Sequence, residues 1–384
     1  MTPDFSNLDT WVLAGQSNME GVGQVSESLP PDEKVWAFSS AGEWEVAQDP
    51  LHRLWESYTL CHNDLIRPNL LPEEAGMSDE DLAQRFYREE NAAGLGVSFG
   101  QAMAAALGQP IGLIPAAHGG TTLNQWSHEK KDQGGRSLYG AMLDRINRAG
   151  GKLQGILWYQ GCSDADAVCA PTYVERMSAW IEAARRDTGI ADLPLFVVQI
   201  GNLITSDNTN VAWWNMVREA LAQLPEHVAH CGATTAIDLD MTDGIHIGTP
   251  GLHRLGQRMA RMALRHAVHP DEPTGPRLES LEVCPAHSGL VSVRVRCSGV
   301  TGGWLPEYHI GGFEVRTPDN QPHKQAMVIN ANRDPEDPAA IRVLLTLPPD
   351  DQACLTYGQG YNPYCNAVDE ADMPLLAFGP RKLA

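Results

Sequence analysis

Residues 11–21 read Trp-Val-Leu-Ala-Gly-Gln-Ser-Asn-Met-Glu-Gly, and this stretch decides the fold of the chain around it. Its apolar first half predicts a buried strand, and the glycine at position 15 predicts a tight turn where that strand ends. The turn would deliver the hydroxyl of Ser17 to the carboxyl end of the strand, where open parallel α/β sheets place their reactive groups. A helix beginning at Ser17 would add a backbone field that favours a developing oxyanion. A serine here can also be only the N-cap of that helix, so the stretch alone leaves both interpretations open.

The composition indicates a chain with a sizeable core and an acidic surface. Its 384 residues are enough for two domains, and 43% of them are hydrophobic, including ten tryptophans. Lys and Arg number 28 against 48 Asp and Glu, which gives a net charge of −20 at pH 7. Such a surface repels nucleic acid and anionic membranes, so we expect neither as a partner. The oligomeric state is left open.

The cysteines and the chain start exclude several classes of protein. The eight cysteines form no CxxC pair and no Cys/His cluster at zinc spacing. We therefore expect no metal site and no cofactor. The first residues lack the basic and apolar segments of a signal peptide, and no window is apolar enough to span a membrane. These features predict a cytoplasmic protein, unless a leader has been removed.

Strand and helix patterns alternate from Gly96 onwards. Such alternation is typical of βαβ units with a parallel sheet covered on both faces. We predict an α/β catalytic domain over residues 1–270, with three layers, a flavodoxin-like strand order and five parallel strands. Residues 24–95 are irregular, and we expect them to form part of a cleft rim. After the strand in residues 11–15, the predicted strands are residues 110–116, 155–159, 195–200 and 233–237.

The period of the sequence changes after a linker rich in proline at residues 269–276. Val291, Val293 and Val295 alternate with polar residues, and residues 341–347 repeat the same two-residue period. Alternation of this kind is typical of half-buried strands. We therefore predict a C-terminal β-sandwich domain over residues 277–384, which is a usual size for that architecture.

Four groups of polar residues follow predicted strands, and the strand ends of a parallel sheet share one edge. Asp243 and His246 are three residues apart, so the carboxylate can orient the imidazole and leave Nε2 free as a general base. Two adjacent glycines allow backbone N–H groups to approach an anion closely. A side-chain amide could donate to the same anion. The four groups are Ser17, Gly119 with Gly120, Gln160, and Asp243 with His246.

Each group also has a structural interpretation. The glycine pair can be only a turn, Gln160 a capping or surface group, and the Asp-x-x-His sequence a solvated loop pair. Their joint placement at one edge of one sheet favours an active site, because independent turns need not carry a hydroxyl, an acid–base pair and donors together.

These residues resemble those of the SGNH hydrolases, and within that superfamily the sialate O-acetylesterase-like and carbohydrate esterase family 6-like branch. The resemblance rests on four blocks in a fixed order, with a weaker likeness in the C-terminal segment. The blocks are residues 15–19, 119–121 followed by Trp126, 158–161 and 243–246. One position departs from the family pattern, because Cys162 stands where the family usually has glutamate after Gln-Gly. This change could loosen the placement of Gln160 or of the nucleophile loop.

The resemblance implies a role for each of these residues. The catalytic residues would be Ser17 as nucleophile, His246 as general base and then acid, and Asp243 as the residue that orients it. The oxyanion hole would consist of the Ser17 N–H, a backbone N–H at Gly119 or Gly120, and the Gln160 amide. Asn18 and Gln16 would be supporting residues of the nucleophile turn.

The function implied by the resemblance is a serine esterase that removes O-acetyl groups from carbohydrates through an acyl-serine intermediate. Its substrate would be an acetylated oligosaccharide or a compound of the sialic acid type, and Trp36, Trp44, Trp55 or Trp126 could stack on a sugar ring. Two alternatives remain open. One is an SGNH lipase or thioesterase acting on acyl chains, and the other is a catalytically inactive carbohydrate-binding protein.

Overall fold

The central sheet has seven strands in the computed structural model, which describes residues 3–67, 92–285 and 290–383 together with 72, 74, 76–78 and 80–82. Six of the strands are parallel, and the seventh is an antiparallel edge strand. The strands are β1 (Asp9–Gly15), β2 (Val35–Phe38), β3 (Trp44–Val46), β4 (Ile111–Pro115), β5 (Lys152–Tyr159), β6 (Leu195–Gln199) and β7 (Cys231–Thr235).

The strand order is β3-β2-β4-β1-β5-β6-β7. The five predicted strands, β1 and β4 to β7, are all present, and among themselves they follow the flavodoxin-like order 2-1-3-4-5. The predicted count of five was wrong, because β2 and β3 extend the sheet beyond β4. Both strands lie in the segment interpreted as irregular, where runs of four and three residues are too short to give a clear period.

Helices pack on both faces of the sheet. Alternate residues of the strands point to opposite faces. On one face the ring of Trp11 contacts that of Phe99, and on the other Trp158 contacts Trp180. The sheet is therefore the middle of three layers. The helices are α1 (Ser17–Glu20), α2 (Cys61–Ile66), α3 (Gly96–Leu107), α4 (Leu138–Ala149), α5 (Tyr173–Thr188), α6 (Val211–His227) and α7 (Thr249–Val268).

The C-terminal part contains antiparallel sheets, as the two-residue period predicted. A four-stranded sheet has the order β12-β13-β9-β8, a three-stranded sheet β11-β14-β16, and a pair β10-β15. A sandwich of these sheets and the domain limits 1–270 and 277–384 stay predictions. The strands are β8 (Arg277–Pro285), β9 (Val291–Ser298), β10 (Trp304–Leu305), β11 (Phe313–Arg316), β12 (Val328–Arg333), β13 (Ala340–Leu345), β14 (Cys354–Tyr357), β15 (Val368–Asp369) and β16 (Phe378–Lys382).

The end of the chain returns to the α/β part. The side-chain amide of Gln199, at the end of β6, donates to the carbonyl of Ala377 at 2.8 Å and accepts the Ala377 N–H at 2.9 Å. Ile237, just after β7, belongs to the same apolar cluster as Val293 and Phe313 of the antiparallel sheets. Within the described ranges no helix is both long and apolar enough to cross a membrane.

Candidate active site

The turn after β1 presents Ser17 at the carboxyl edge of the sheet. Gly15 has a φ of 134°, and a Cβ at this position would lie 2.2 Å from the carbonyl oxygen of Tyr159. The N–H of Gln16 donates to that same oxygen at 2.8 Å. Only glycine therefore lets the chain turn this close to β5. Ser17 then begins α1, whose four residues are too few for the extended helix field that the sequence suggested.

The structure brings the side chains of Ser17, His246 and Asp243 together, although the first two are 229 residues apart in the sequence. His246 Nε2 lies 3.0 Å from Ser17 Oγ, and His246 Nδ1 lies 2.6 Å from Asp243 Oδ2. The other oxygen of Asp243 accepts the backbone N–H groups of Ile245 and His246, both at 2.8 Å. The carboxylate thus fixes both the loop and the imidazole.

The charge of Asp243 sets the tautomer of His246. Partial burial acts to raise the pKa of Asp243, but hydrogen bonds from the Ile245 N–H, the His246 ring and the His246 N–H outweigh it and lower the pKa overall. The ionised carboxylate is only an acceptor, so Nδ1 of His246 carries the proton in this hydrogen bond. Nε2 then has a free lone pair directed at the Ser17 hydroxyl, which is the arrangement of a general base.

The two supporting residues make contacts with different loops. Asn18 Oδ1 accepts the N–H of Ile247 at 3.0 Å, and its amide donates to the carbonyl of Ile245 at 3.3 Å. Gln16 Oε1 accepts the N–H of Gly161 at 3.0 Å. Asn18 therefore holds the histidine loop, and Gln16 holds the turn after β5.

The backbone N–H groups at and beside Ser17 differ in whether they already have a hydrogen-bond acceptor. In the part of the chain that the structure describes, the N–H groups of Ser17 and Gly120 have no hydrogen-bond partner. The N–H of Gly119 donates to Glu20 Oε2 at 2.5 Å. A Cβ on Gly119 would lie 3.6 Å from the Cβ of Ser17, so this backbone lines the nucleophile closely.

Gln160 does not have the orientation that the sequence suggested. Its side chain is fully buried, and its amide nitrogen donates to the carbonyl of Thr121 at 3.0 Å and to Asp164 Oδ2 at 2.5 Å. Its Oε1 accepts the hydroxyl of Tyr173 at 2.8 Å. Because both amide hydrogens are used inside the protein, the structure does not support Gln160 as an oxyanion donor. Its hydrogen bonds link the turn after β5 to the loop after β4.

Asp164 is a buried residue of the site region that the sequence interpretation did not single out. Its Oδ2 accepts the backbone N–H of Leu123 at 2.9 Å as well as the Gln160 amide, and Arg176 lies 3.4 Å from Oδ1. Burial raises the pKa of Asp164 although these donors oppose the rise. The side chain joins the turn after β5 to the loop after β4. An acid five residues after a strand end gives no periodic signal.

Cys162 is not poised as a nucleophile. Burial raises the pKa of its thiol to about 12, against the opposing charge of Arg218. The thiol is therefore protonated at neutral pH and brings no negative charge to Arg218, unlike the glutamate expected from the resemblance. Burial in turn lowers the pKa of Arg218 to about 10. The guanidinium donates instead to the backbone carbonyls of Ile200, Gly201, Gly358, Gly360 and Tyr361.

The four candidate tryptophans do not form a common stacking surface. Trp126 is fully buried and its Nε1 donates to Thr121 Oγ1, while Trp55 is 5% exposed. Trp44 stacks on Phe5, and Trp36 meets the same ring edge-on. Among the residues described, no group of three or more His, Cys, Asp or Glu side chains could hold a metal ion.

A hydrogen-bonded serine, histidine and aspartate at the carboxyl edge of a parallel α/β sheet is an arrangement that serine hydrolases use. The chain belongs to the family described as carbohydrate esterase, sialic acid-specific acetylesterase, whose model matches residues 7–265. The resemblance stated from the sequence is thereby confirmed.

The chain is also similar to individual proteins. A relative named as a probable carbohydrate esterase of Arabidopsis thaliana is 26% identical over 273 residues, which cover 66% of this chain and 89% of the relative. A crystal structure of a protein from Arabidopsis thaliana, 26% identical, matches 67% of this chain and 98% of its own with a TM-score of 0.51. A carbohydrate acetylesterase from Xanthomonas citri is 20% identical and covers 96% of this chain and 80% of its own, with a TM-score of 0.67.

Proposed function

We propose that this protein is a serine esterase that removes O-acetyl groups from carbohydrates. The observation that carries the proposal is the 3.0 Å contact between Ser17 Oγ and His246 Nε2, with Asp243 on the far side of the imidazole. These three groups are sufficient to activate a hydroxyl as a nucleophile at neutral pH.

In the first step, Ser17 Oγ attacks the acetyl carbonyl carbon while His246 Nε2 takes the hydroxyl proton. The tetrahedral oxyanion accepts hydrogen bonds from the N–H groups of Ser17 and of Gly119 or Gly120. The intermediate then expels the sugar oxygen, which takes the proton from His246. In the second step, a water molecule deprotonated by His246 attacks the acetyl-serine, and acetate leaves as Ser17 regains its proton.

The carbohydrate part of the proposal is supported by the family and by its named relatives. The family is described as one of carbohydrate esterases and, more narrowly, of sialic acid-specific acetylesterases. The Arabidopsis relative, at 26% identity, also carries the name of a carbohydrate esterase. The likeness to the Xanthomonas protein supports the fold alone, since its identity is 20%. We infer that the substrate is an acetylated oligosaccharide or a compound of the sialic acid type. We also infer that the C-terminal sheets form a sandwich.

The test compares release of acetate from acetylated xylo-oligosaccharides, acetylated sialic acid and acetylated simple sugars. The expected result is release from at least one member of the panel by the wild-type protein and none by Ser17→Ala. Hydrolysis of p-nitrophenyl octanoate in clear preference to the acetate ester would favour a lipase or thioesterase. Failure of a fluorophosphonate to label Ser17 would favour an inactive carbohydrate-binding protein.

A further inference from the structure

Glu20 places a carboxyl group at the mouth of the candidate oxyanion hole. It is the last residue of α1, three positions after Ser17, and its Oε2 accepts the Gly119 N–H at 2.5 Å. A Cβ built on Gly119 would lie 3.1 Å from that oxygen and 3.6 Å from the Cβ of Ser17. The carboxyl oxygen, the glycine and the nucleophile thus lie side by side.

This contact conflicts with the chemistry proposed for the site. An oxyanion held by the N–H groups of Ser17 and Gly119 needs both of them free, whereas the Gly119 N–H already has an acceptor. A carboxylate and an oxyanion also carry the same charge, and they repel each other strongly in a partly buried site. An ionised Glu20 therefore opposes the tetrahedral intermediate in two ways, by occupying the Gly119 N–H and by charge repulsion. A neutral carboxyl group is a weaker acceptor and carries no charge, so both effects are smaller.

We propose that Glu20 gates the oxyanion hole, so that its ionised form retains the Gly119 N–H and its neutral form releases this donor to the carbonyl oxygen of the substrate. The proposal rests on the proposed esterase function. Glu20 is then a residue that controls the site through Gly119, and it is not part of the serine, histidine and aspartate set.

Both forms of Glu20 are populated near neutral pH. Burial raises its pKa to about 7, and the Gly119 N–H opposes this rise only in part. Gating therefore predicts a rate that falls as the pH rises above about 7.

Other charged and titratable groups of this region do not produce such a fall. Burial lowers the pKa of His52, whose ring faces the backbone of Glu20, to about 3, and that of His118 to about 4. Both rings are thus neutral throughout the range of interest. The pKa of Asp243 is lowered, so it stays ionised. Arg145, which acts on His52, has a pKa lowered by burial to about 10 and stays charged below that pH.

The kinetic test measures kcat/KM for p-nitrophenyl acetate from about pH 5.5 to about pH 9 in the wild type, Glu20→Gln and Glu20→Ala. We expect the wild-type value to fall above about pH 7 by roughly tenfold per pH unit at most, and both variants to keep a plateau. Glu27→Gln removes an exposed carboxylate that follows Glu20 in the sequence, and it should retain the wild-type profile. Parallel profiles in all proteins, or variants that are slower at every pH, would overturn the gate.

A second measurement does not depend on activity. In Ser17→Ala protein labelled with 15N-glycine, which reports on 36 glycines, one amide signal next to the mutated site should titrate near pH 7. The same signal should not titrate when Glu20→Gln is added. An unchanged titration in the double variant overturns the gate. Absence of esterase activity from every variant, together with the expected amide titration, would instead reject the esterase function and leave the Glu20–Gly119 contact intact.

Discussion

Asn18 holds the backbone N–H of Ile247 in a hydrogen bond of 3.0 Å, although the two residues are 229 positions apart. The amide of Asn18 also donates to the carbonyl of Ile245. These two contacts lie on either side of His246. The residue next to the nucleophile therefore fixes the loop that carries the general base, and the distance between Ser17 and His246 depends on it.

Asn18→Ala should lower kcat by roughly 10²-fold with a smaller effect on KM, because a shift of the imidazole by about 1 Å is enough for such a loss. Steady-state kinetics with p-nitrophenyl acetate measure both constants. Asn208→Ala changes an exposed asparagine of another loop and should behave as wild type. A turnover rate within a factor of about two of wild type would show that the loop holds its position without Asn18.

The three residues of the hydrogen-bonded set should differ in their effects. Ser17→Ala and His246→Ala should each lower kcat by on the order of 10⁶-fold, as in other serine triads. Asp243→Asn should cost less, on the order of 10⁴-fold, because the imidazole remains present in the wrong tautomer. Circular dichroism and thermal unfolding check that each variant is folded. A greater loss in Asp243→Asn than in His246→Ala would contradict these roles.

Gln160→Ala should act on stability more than on the chemical step. It removes one hydrogen bond from each of the buried Thr121 carbonyl, Asp164 carboxyl and Tyr173 hydroxyl, which should lower the free energy of unfolding by about 2–3 kcal/mol. Urea unfolding measures this change. The substitution Gln125→Ala removes an amide from a neighbouring, partly buried turn and provides a comparison. A turnover rate lowered by roughly 10²-fold or more at unchanged stability would return Gln160 to the oxyanion hole.

Arg218→Met should destabilise the protein by about 3–5 kcal/mol, because five backbone carbonyls lose the guanidinium that now satisfies them. The effect should reach the active site. Leu203 donates to the carbonyl of Tyr361 at 2.8 Å, and Ile204 donates to the carbonyl of Gly244, beside Asp243, at 2.7 Å.

Urea unfolding and the turnover rate are the two measurements for Arg218→Met. Arg186→Met changes an arginine whose side chain is 65% exposed and should shift the unfolding free energy by less than about 0.5 kcal/mol. Equal stability of the two variants would mean that the carbonyls around Arg218 find water or other donors.

The central strands could be predicted because each is a short, mostly apolar run bounded by polar or turn residues, as in residues 195–200. The strand order then placed Ser17 and His246 at one edge. β2 was missed because its four residues lie among charged and proline residues, and because a strand this short is decided by its pairing with β3 and β4.

The direction of a side chain could not be predicted in the same way. The sequence position of Gln160 places it just after β5. Its rotamer, however, depends on buried partners such as Asp164, and the hydrophobic periodicity of the sequence does not identify those partners. The contact between Glu20 and Gly119 is similar, since 99 residues separate them and only the packed loops bring them together.

The bonds of Arg218 to Gly358, Gly360 and Tyr361 have a consequence for the order of events on the ribosome. The nucleophile is translated before the histidine loop, and the residues that hold that loop through Arg218 are translated later than both. A nascent chain that has emerged only as far as α7 has every reacting group, but it lacks the residues 358–361 whose carbonyls Arg218 binds. Competence should therefore arise late and abruptly during translation, once this returning segment has docked.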